Sequence, residues 1–399
     1  MGADPPRLIL DATRLVARAG RTVLTGIDRV ERAWLGECLA RDPAACLLVG
    51  TMAGQVLLPA TAAGRILDWI DRPEAAPRPG RLLRMLAGRR AARAAALEAL
   101  WPDATGPFRT SAALGRHLPA SGGWLVSVGH QNAAGLRLVA GLSGWRLAVL
   151  VHDTIPIDLG DDPRAARRLW PVLTGAAKAD LAICNSQVTA AALAHHAGPV
   201  RNPLVAPLGI DLAPPDPSAL PASLGRGAGP AFLALGTIAR RKGQDFLLDL
   251  WQAMAAAPPG RLILAGRIGR GGGPIVARAR DMVAQGLPVA LATDLSDGAV
   301  AALMEGAAAL LAPSLAEGYG LPVAEAAARG LPVLANDLPA YREVVGAYPV
   351  YLPTGAAYPW IEAIRGIAAH RATEPATERR RLAVPGWKDH FDRVFAAMV

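Results

Sequence analysis

Apolar residues fall into two alternating patterns along this chain. Short, nearly continuous apolar runs, such as 146–151 (RLAVLV), 261–265 (RLILA) and 307–312 (AAALLA), alternate with longer stretches whose apolar positions recur at helical spacing. Runs of the first kind predict strands buried on both faces, and their alternation with helices predicts parallel βαβ units. Strands are expected at 7–11, 124–128, 146–151, 180–184 and 204–206, and again at 231–235, 261–265 and 307–312. The uncharged run 43–64 is long enough to cross a bilayer, but Gly50, Gln55 and Pro59 make two core strands joined at Gly54 the better reading. Residues 212–230 are rich in Pro, Gly and Ser with little periodicity, which predicts a linker. The chain thus divides into a domain over 1–211 and another over 231–386, each expected to be doubly wound and Rossmann-like, followed by a terminal helical segment, 387–399.

The stretch 307–336 organises the rest. A buried strand ends at Pro313-Ser314, and a turn follows in which Gly318 and Gly320 flank Tyr319. Pro322 then suits the start of a helix that Gly330 stops. Backbone amides at the start of a helix favour anions, so residues 318–321 are suited to a phosphate or a row of sugar hydroxyls. Seven residues separate Glu317 on the turn from Glu325 on the helix, and both carboxylates are expected to face one crevice. Taken singly, Glu325 would merely complement the helix dipole and Gly330 would be an ordinary helix stop.

Taken together, Pro313, Ser314, Glu317, Gly318, Tyr319, Gly320, Leu321, Pro322, Glu325 and Ala326 resemble the donor-site signature of the retaining family 4 glycosyltransferases. That resemblance implies a GT-B fold, with two Rossmann-like domains facing a cleft. It implies that Glu325 binds the ribose hydroxyls of a nucleotide sugar and Glu317 the transferred sugar, while Gly318, Tyr319, Gly320 and Leu321 hold sugar and diphosphate. It further implies that the last helix returns to the first domain.

Other segments extend the resemblance. After the strand 231–235, Gly236-Thr237 leads to Arg240-Arg241-Lys242-Gly243, where cations at a strand end reach a diphosphate. This is similar to the G-T-x-x-P-R-K subgroup with Arg240 in place of proline, which shifts diphosphate binding onto Lys242 with Arg241 as helper; Thr237 is expected among the donor-binding residues. A solvated charge run is the alternative. His152 and Asp153 end the strand 146–151, and the segment resembles the family's His-Asp-x-x-Pro, in which the histidine lies against the sugar. Gly26 belongs to a loop resembling the one that borders donor and acceptor, although it would serve equally as a plain strand-to-helix connection. The loop after 261–265 lacks GxGxxG, which excludes a dinucleotide fingerprint.

Composition narrows the partners. The net charge of +9 rests on arginine, since Lys178, Lys242 and Lys388 are the only lysines, and it implies an anionic partner. Part of that charge lies in a basic segment, 78–101. There Leu82, Leu83 and Leu86 share a helical face, Arg89, Arg90 and Arg93 rotate onto it, and Gly88 is expected to break the helix. Either a solvated helical hairpin or contact with anionic lipid headgroups fits. Nucleic acid fits poorly, because no aromatic residues interleave with these arginines. Cys38, Cys46 and Cys184 have no metal-ligand spacing, and the N-terminal sequence lacks the pattern of a secretion signal, so a cytoplasmic protein with reduced thiols is expected. A peripheral position on the inner face of the cytoplasmic membrane follows if the lipid contact is real.

The expected function is metal-independent, retaining transfer of a sugar from a nucleotide sugar to a glycan or polyprenyl-linked acceptor in the synthesis of surface polysaccharide such as lipopolysaccharide. His152, Glu317 and Lys242 are the expected catalytic groups. No D-x-D triplet exists to bridge a metal to the diphosphate, and neither a cofactor nor a metal is expected. The sequence identifies neither the base nor the sugar of the donor; mannose or a deoxyhexose is a guess. A nucleotide-sugar epimerase and a non-catalytic nucleotide-sugar-binding protein remain as alternatives.

Overall fold

The computed structural model describes residues 7–21, 23–81, 84–85, 90–224, 229–371 and 380–399. Leu82, Leu83, Leu86, Gly88 and Arg89 of the basic segment lie outside them. Two compact units are present, one formed by Met1–Leu208 with Trp387–Val399, the other by Gly209–Gly386. Their α/β architecture is the GT-B type.

Among the described residues, the first unit is built on eight strands: β1 (Leu8–Asp11), β2 (Cys46–Gly50), β3 (Gln55–Leu58), β4 (Thr105–Phe108), β5 (Gly123–Ser127), β6 (Trp145–Val151), β7 (Leu181–Cys184) and β8 (Pro203–Val205). Their order is β4-β3-β2-β1-β5-β6-β7-β8, with all strands running the same way except β3, which is antiparallel to both β2 and β4. β4 escapes sequence reading because its residues, TGPF, contain Gly and Pro and three of the four are exposed. The terminal helix Trp387–Ala396 packs within this unit through Trp34, whose ring lies 5.2 Å from that of Phe391 and 5.6 Å from that of His390. Trp124 Nε1 donates to Met398 O at 2.9 Å.

Among its described residues, the second unit has six parallel strands: β9 (Ala231–Leu235), β10 (Arg261–Ala265), β11 (Val289–Ala292), β12 (Ala309–Ala312), β13 (Val333–Ala335) and β14 (Val350–Tyr351), ordered β11-β10-β9-β12-β13-β14. Neighbouring residues go to opposite faces: Leu233, Ile263 and Leu310 join one buried cluster, while Phe232, Leu262, Leu264 and Leu311 join another. Helices cover both faces, which is why these strands read as continuous apolar runs rather than as alternation.

The Pro-rich stretch belongs to this unit rather than spanning a gap. Arg329 Nη2 donates to Ala213 O at 2.6 Å, Asp216 N donates to Gly298 O at 2.9 Å, and Leu224 is buried in the core.

In each sheet the strand order reverses at a central strand: β1 lies between β2 and β5, and β9 between β10 and β12. Open α/β sheets bind ligands in the crevice outside the carboxyl ends of the strands at such a reversal.

Candidate functional site

The turns after β9 and β12 meet at the reversal in the second unit. Gly243, with φ +68°, closes the short helix Arg240–Lys242, and a Cβ there would lie 2.3 Å from Pro313 O. Only glycine permits that approach, and it brings the basic turn against the end of β12. Leu315 N donates to Arg241 O at 2.8 Å, which joins the two turns by backbone.

Glu317 is the centre of what results. Its Oε1 accepts from Lys242 Nζ, from Ser314 Oγ at 2.8 Å and from Tyr341 OH at 3.2 Å, while Arg241 Nη1 lies 3.6 Å from Oε2. The side chain is 9% exposed. Burial opposes ionisation, but Lys242 and Arg241 with the hydrogen bonds outweigh it and hold the carboxyl below its ordinary pKa. Tyr341 is pushed the other way, first by burial and then by the Glu317 charge, and its phenol stays protonated as a donor.

Gly320 has φ +92° and precedes the helix Leu321–Ala328, in which Pro322 stands in the first turn. A Cβ on Gly320 would lie 2.5 Å from the Tyr341 ring, so the turn needs glycine for both conformation and space. Tyr319 is buried, and Glu325 is 8% exposed on the next turn of the helix. Gln244 fixes the loop after β9 by accepting from Ala239 N and donating to Thr237 O, both at 3.2 Å. Asn336 fixes the loop after β12 by donating to Ser314 O at 2.9 Å.

The structure thus brings Lys242, Arg241 and Glu317 into direct contact and sets Thr237 and residues 318–325 on the adjoining turns. Sequence reading passes over Tyr341 and Gln244. Neither has a local signal, since Tyr341 reaches Glu317 from 24 residues away and Gln244 resembles an ordinary first-turn helix residue.

Gly26 and His152 belong to the first unit. Gly26 opens the helix Gly26–Arg41, capped by Thr25 with Asp28 in a reciprocal capping box. Arg14 Nε bonds Asp28 at 2.8 Å and lies 3.3 Å from Glu31, and Arg18 Nε bonds Asp28 at 3.1 Å. His152 is 5% exposed, and its Nε2 lies 2.7 Å from Val128 O. Burial first, then neighbouring His130, holds the His152 imidazole well below its ordinary pKa. The ring is therefore neutral, and Nε2 carries the proton that it donates to Val128 O. Asn185 Nδ2 donates to His152 O at 2.9 Å, so the turn after β7 steadies the one after β6. His130, unremarked in the sequence, lies 4.9 Å from the His152 ring, and burial pushes its pKa down to about 4.

Arg93 of the basic segment is half-buried and donates to Gly50 O. Among the described residues, no helix is long and apolar enough to cross a membrane, and no cluster of three or more His, Cys, Asp or Glu side chains is placed to hold a metal ion.

Residues 229–370, most of the second unit, match the family described as Glycosyl transferases group 1. Over 128 residues the chain is 29% identical to the serotype-specific mannosyltransferase WbdA of Escherichia coli, a match that covers 31% of this chain and 15% of that protein. The fold is similar to that of Anabaena HepE in complex with UDP-glucose, with TM-score 0.61 and 18% identity over 97% of this chain and 94% of that one. It is also similar to that of WaaG, a glycosyltransferase involved in lipopolysaccharide biosynthesis, with TM-score 0.55 and 14% identity over 98% and 95% of the two chains.

Proposed function

We propose that this protein is a cytoplasmic glycosyltransferase that moves a sugar from a nucleoside diphosphate donor to a glycan or polyprenyl-linked acceptor, with retention of configuration and without a divalent metal. The observation that carries this reading is the Glu317–Lys242–Arg241 cluster at the strand-order reversal, inside the stretch matched by the glycosyltransferase family.

As the bond from the anomeric carbon to the donor's phosphate oxygen breaks, negative charge grows on the diphosphate, and fixed cations in a largely dry site stabilise that charge. Lys242 and Arg241 are the groups we assign to it, with Thr237 on the same loop. We assign residues 318–321 to the sugar and phosphates and Glu325 to the ribose. Glu317, kept ionised by its partners, suits the positive charge that develops on the sugar. His152, neutral and orientated through Nε2, is assigned to hydrogen bonding with the transferred sugar. Mannose is the sugar we propose first, from the local likeness to the mannosyltransferase WbdA, and a surface polysaccharide such as lipopolysaccharide is the product class that the likeness to WaaG suggests.

Glu325→Ala is expected to weaken binding of the donor's nucleoside diphosphate by about 1.5–3 kcal/mol, the worth of hydrogen bonds to a charged group. Calorimetry with UDP and GDP checks this, and unchanged affinity removes Glu325 from ribose binding.

A panel of UDP- and GDP-sugars, assayed in excess chelator with the product's anomeric coupling read by NMR, tests the reaction. Activity should survive chelation and the linkage should keep the donor's configuration. Loss of activity rejects metal independence, an inverted linkage rejects retention, and release of an epimerised sugar without an acceptor identifies an epimerase. Nucleotide-sugar binding without turnover across donors and acceptors identifies a sensor.

A further inference from the structure

Two arginines of the first unit, Arg93 and Arg109, bond to the backbone of one tight turn, Arg90 lies close enough to Arg93 for its charge to act on it, and among the described residues none of the three pairs with a carboxylate. The turn joins β2 to β3, and Thr51 N and Oγ1 both donate to Gly54 O at 2.8 Å. Gly54 has φ +142°, and a Cβ there would lie 2.5 Å from Phe108 O, so the turn is packed against the end of β4. Thr13 Oγ1 accepts from Gly50 N at 2.9 Å, which ties the other end of the turn to the short helix Thr13–Val16 after β1.

Two guanidinium groups are anchored on this turn. Arg109 directly follows β4 and donates Nε to Ala53 O at 2.8 Å. Arg93, on the helix Ala91–Leu100, donates Nη2 to Gly50 O at 2.6 Å, and its Nε is buried without a hydrogen-bond partner. Arg90, one turn earlier at the start of that helix, is exposed. Burial first and then the Arg90 charge push the Arg93 guanidinium below its ordinary pKa.

Carbonyl groups position a guanidinium but leave its charge uncompensated, and like charges held together favour an anion among them. A purely solvated arginine would neither need a backbone anchor nor keep a buried donor unpaired. The turn also stands at the carboxyl end of β2, on the ligand-binding edge of a parallel sheet.

We propose that Arg90, Arg93 and Arg109 form a binding site for phosphate groups of the acceptor substrate. The proposal rests on the reading of the protein as a glycosyltransferase. Two kinds of acceptor share this chemistry, a phosphorylated glycan and a polyprenyl diphosphate. Met52, fully exposed at the tip of the turn, offers an apolar contact that only the second would use.

Calorimetric titration with inorganic pyrophosphate tests the site. The wild-type protein should show two binding events, one removed by Lys242→Ala and the other weakened about tenfold for each charge lost in Arg90→Gln and Arg109→Gln. Both arginines are exposed, so these variants should keep the wild-type melting temperature and still bind UDP or GDP. Unchanged pyrophosphate binding in the double variant overturns the proposal, as does a single wild-type event that Lys242→Ala alone abolishes. If Lys242→Ala leaves both events and the arginine variants remove one, the donor-site assignment fails while this site stands. Geranyl diphosphate identifies the source. Binding about tenfold tighter than pyrophosphate, with the gain lost in Met52→Ser, assigns the site to a lipid diphosphate; equal affinity assigns it to a phosphorylated glycan.

Discussion

Replacing Lys242 by alanine is expected to lower kcat by a factor corresponding to about 2–4 kcal/mol, comparable to deleting one oxyanion-hole donor. The lysine side chain is 11% exposed, and its ammonium hydrogen-bonds to Glu317 Oε1. Its removal takes a cation from the departing diphosphate and leaves Glu317 with Arg241, 3.6 Å away, as its one cationic partner among the described residues. The second loss has a pH signature. The folded pKa of Glu317 is depressed, so its contribution to stability is present above the unfolded value and is lost as pH falls through the folded one. Without Lys242 the carboxyl titrates at higher pH, and the acid limb of the kcat/KM profile should move upward. Lys242→Arg should recover part of the rate by restoring the charge without the point geometry of the ammonium. A Lys242→Ala enzyme with wild-type kcat and an unmoved acid limb would remove the residue from the mechanism.

Arg14→Met should cost the first unit about 3–5 kcal/mol of stability, the range for leaving a buried charge without its partner. Arg14 is 10% exposed on its side chain, and its acidic neighbours Asp28 and Glu31 are fully buried at theirs. Burial works against ionisation of Asp28, but Arg14 and then Arg18 outweigh it and hold the carboxyl below its ordinary pKa. The stability Asp28 supplies is therefore present above its unfolded pKa near 3.8 and lost on acidification, so the penalty of Arg14→Met should shrink as pH falls.

Glu31 behaves oppositely. Burial raises its pKa well above 4.5, more than Arg14 lowers it, and the cost of keeping it folded grows as pH rises through and beyond that unfolded value. Glu31→Gln should accordingly be more stable than wild type at neutral pH and converge with it near pH 4. Urea denaturation followed by tryptophan fluorescence, to which the buried Trp34 and Trp124 of the first unit contribute, reads both effects. An Arg14→Met midpoint equal to that of wild type at neutral pH would show that Arg18 alone compensates Asp28.

Much of this protein is legible in order along the chain. Strands buried on both faces announce themselves as apolar runs, and β1, β5, β6, β7, β9, β10 and β12 all lie within two residues of where periodicity puts them. The glycines of the turn after β12 are equally readable, because the backbone conformation of Gly320 excludes a side chain whatever surrounds it. Short edge strands such as β11 and β14 are not readable, since four or two residues with incomplete burial leave no period to detect.

What the amino-acid order determines by itself is local: which segments are strands or helices, where glycine must bend the chain, and which residues carry charge. Tertiary structure decides which charges meet. Glu317 is joined to Lys242 across 75 residues because Gly243 lets one turn press on Pro313, and Tyr341 completes the cluster from another helix. Arg93 faces Gly50, 43 residues before it, because β2, β3 and β4 form a meander that sets the turn beside its helix. The physical reason is range. Propensity and hydrophobic period act over a few neighbouring residues, whereas desolvation and charge pairing depend on which surfaces the folded sheet has already closed.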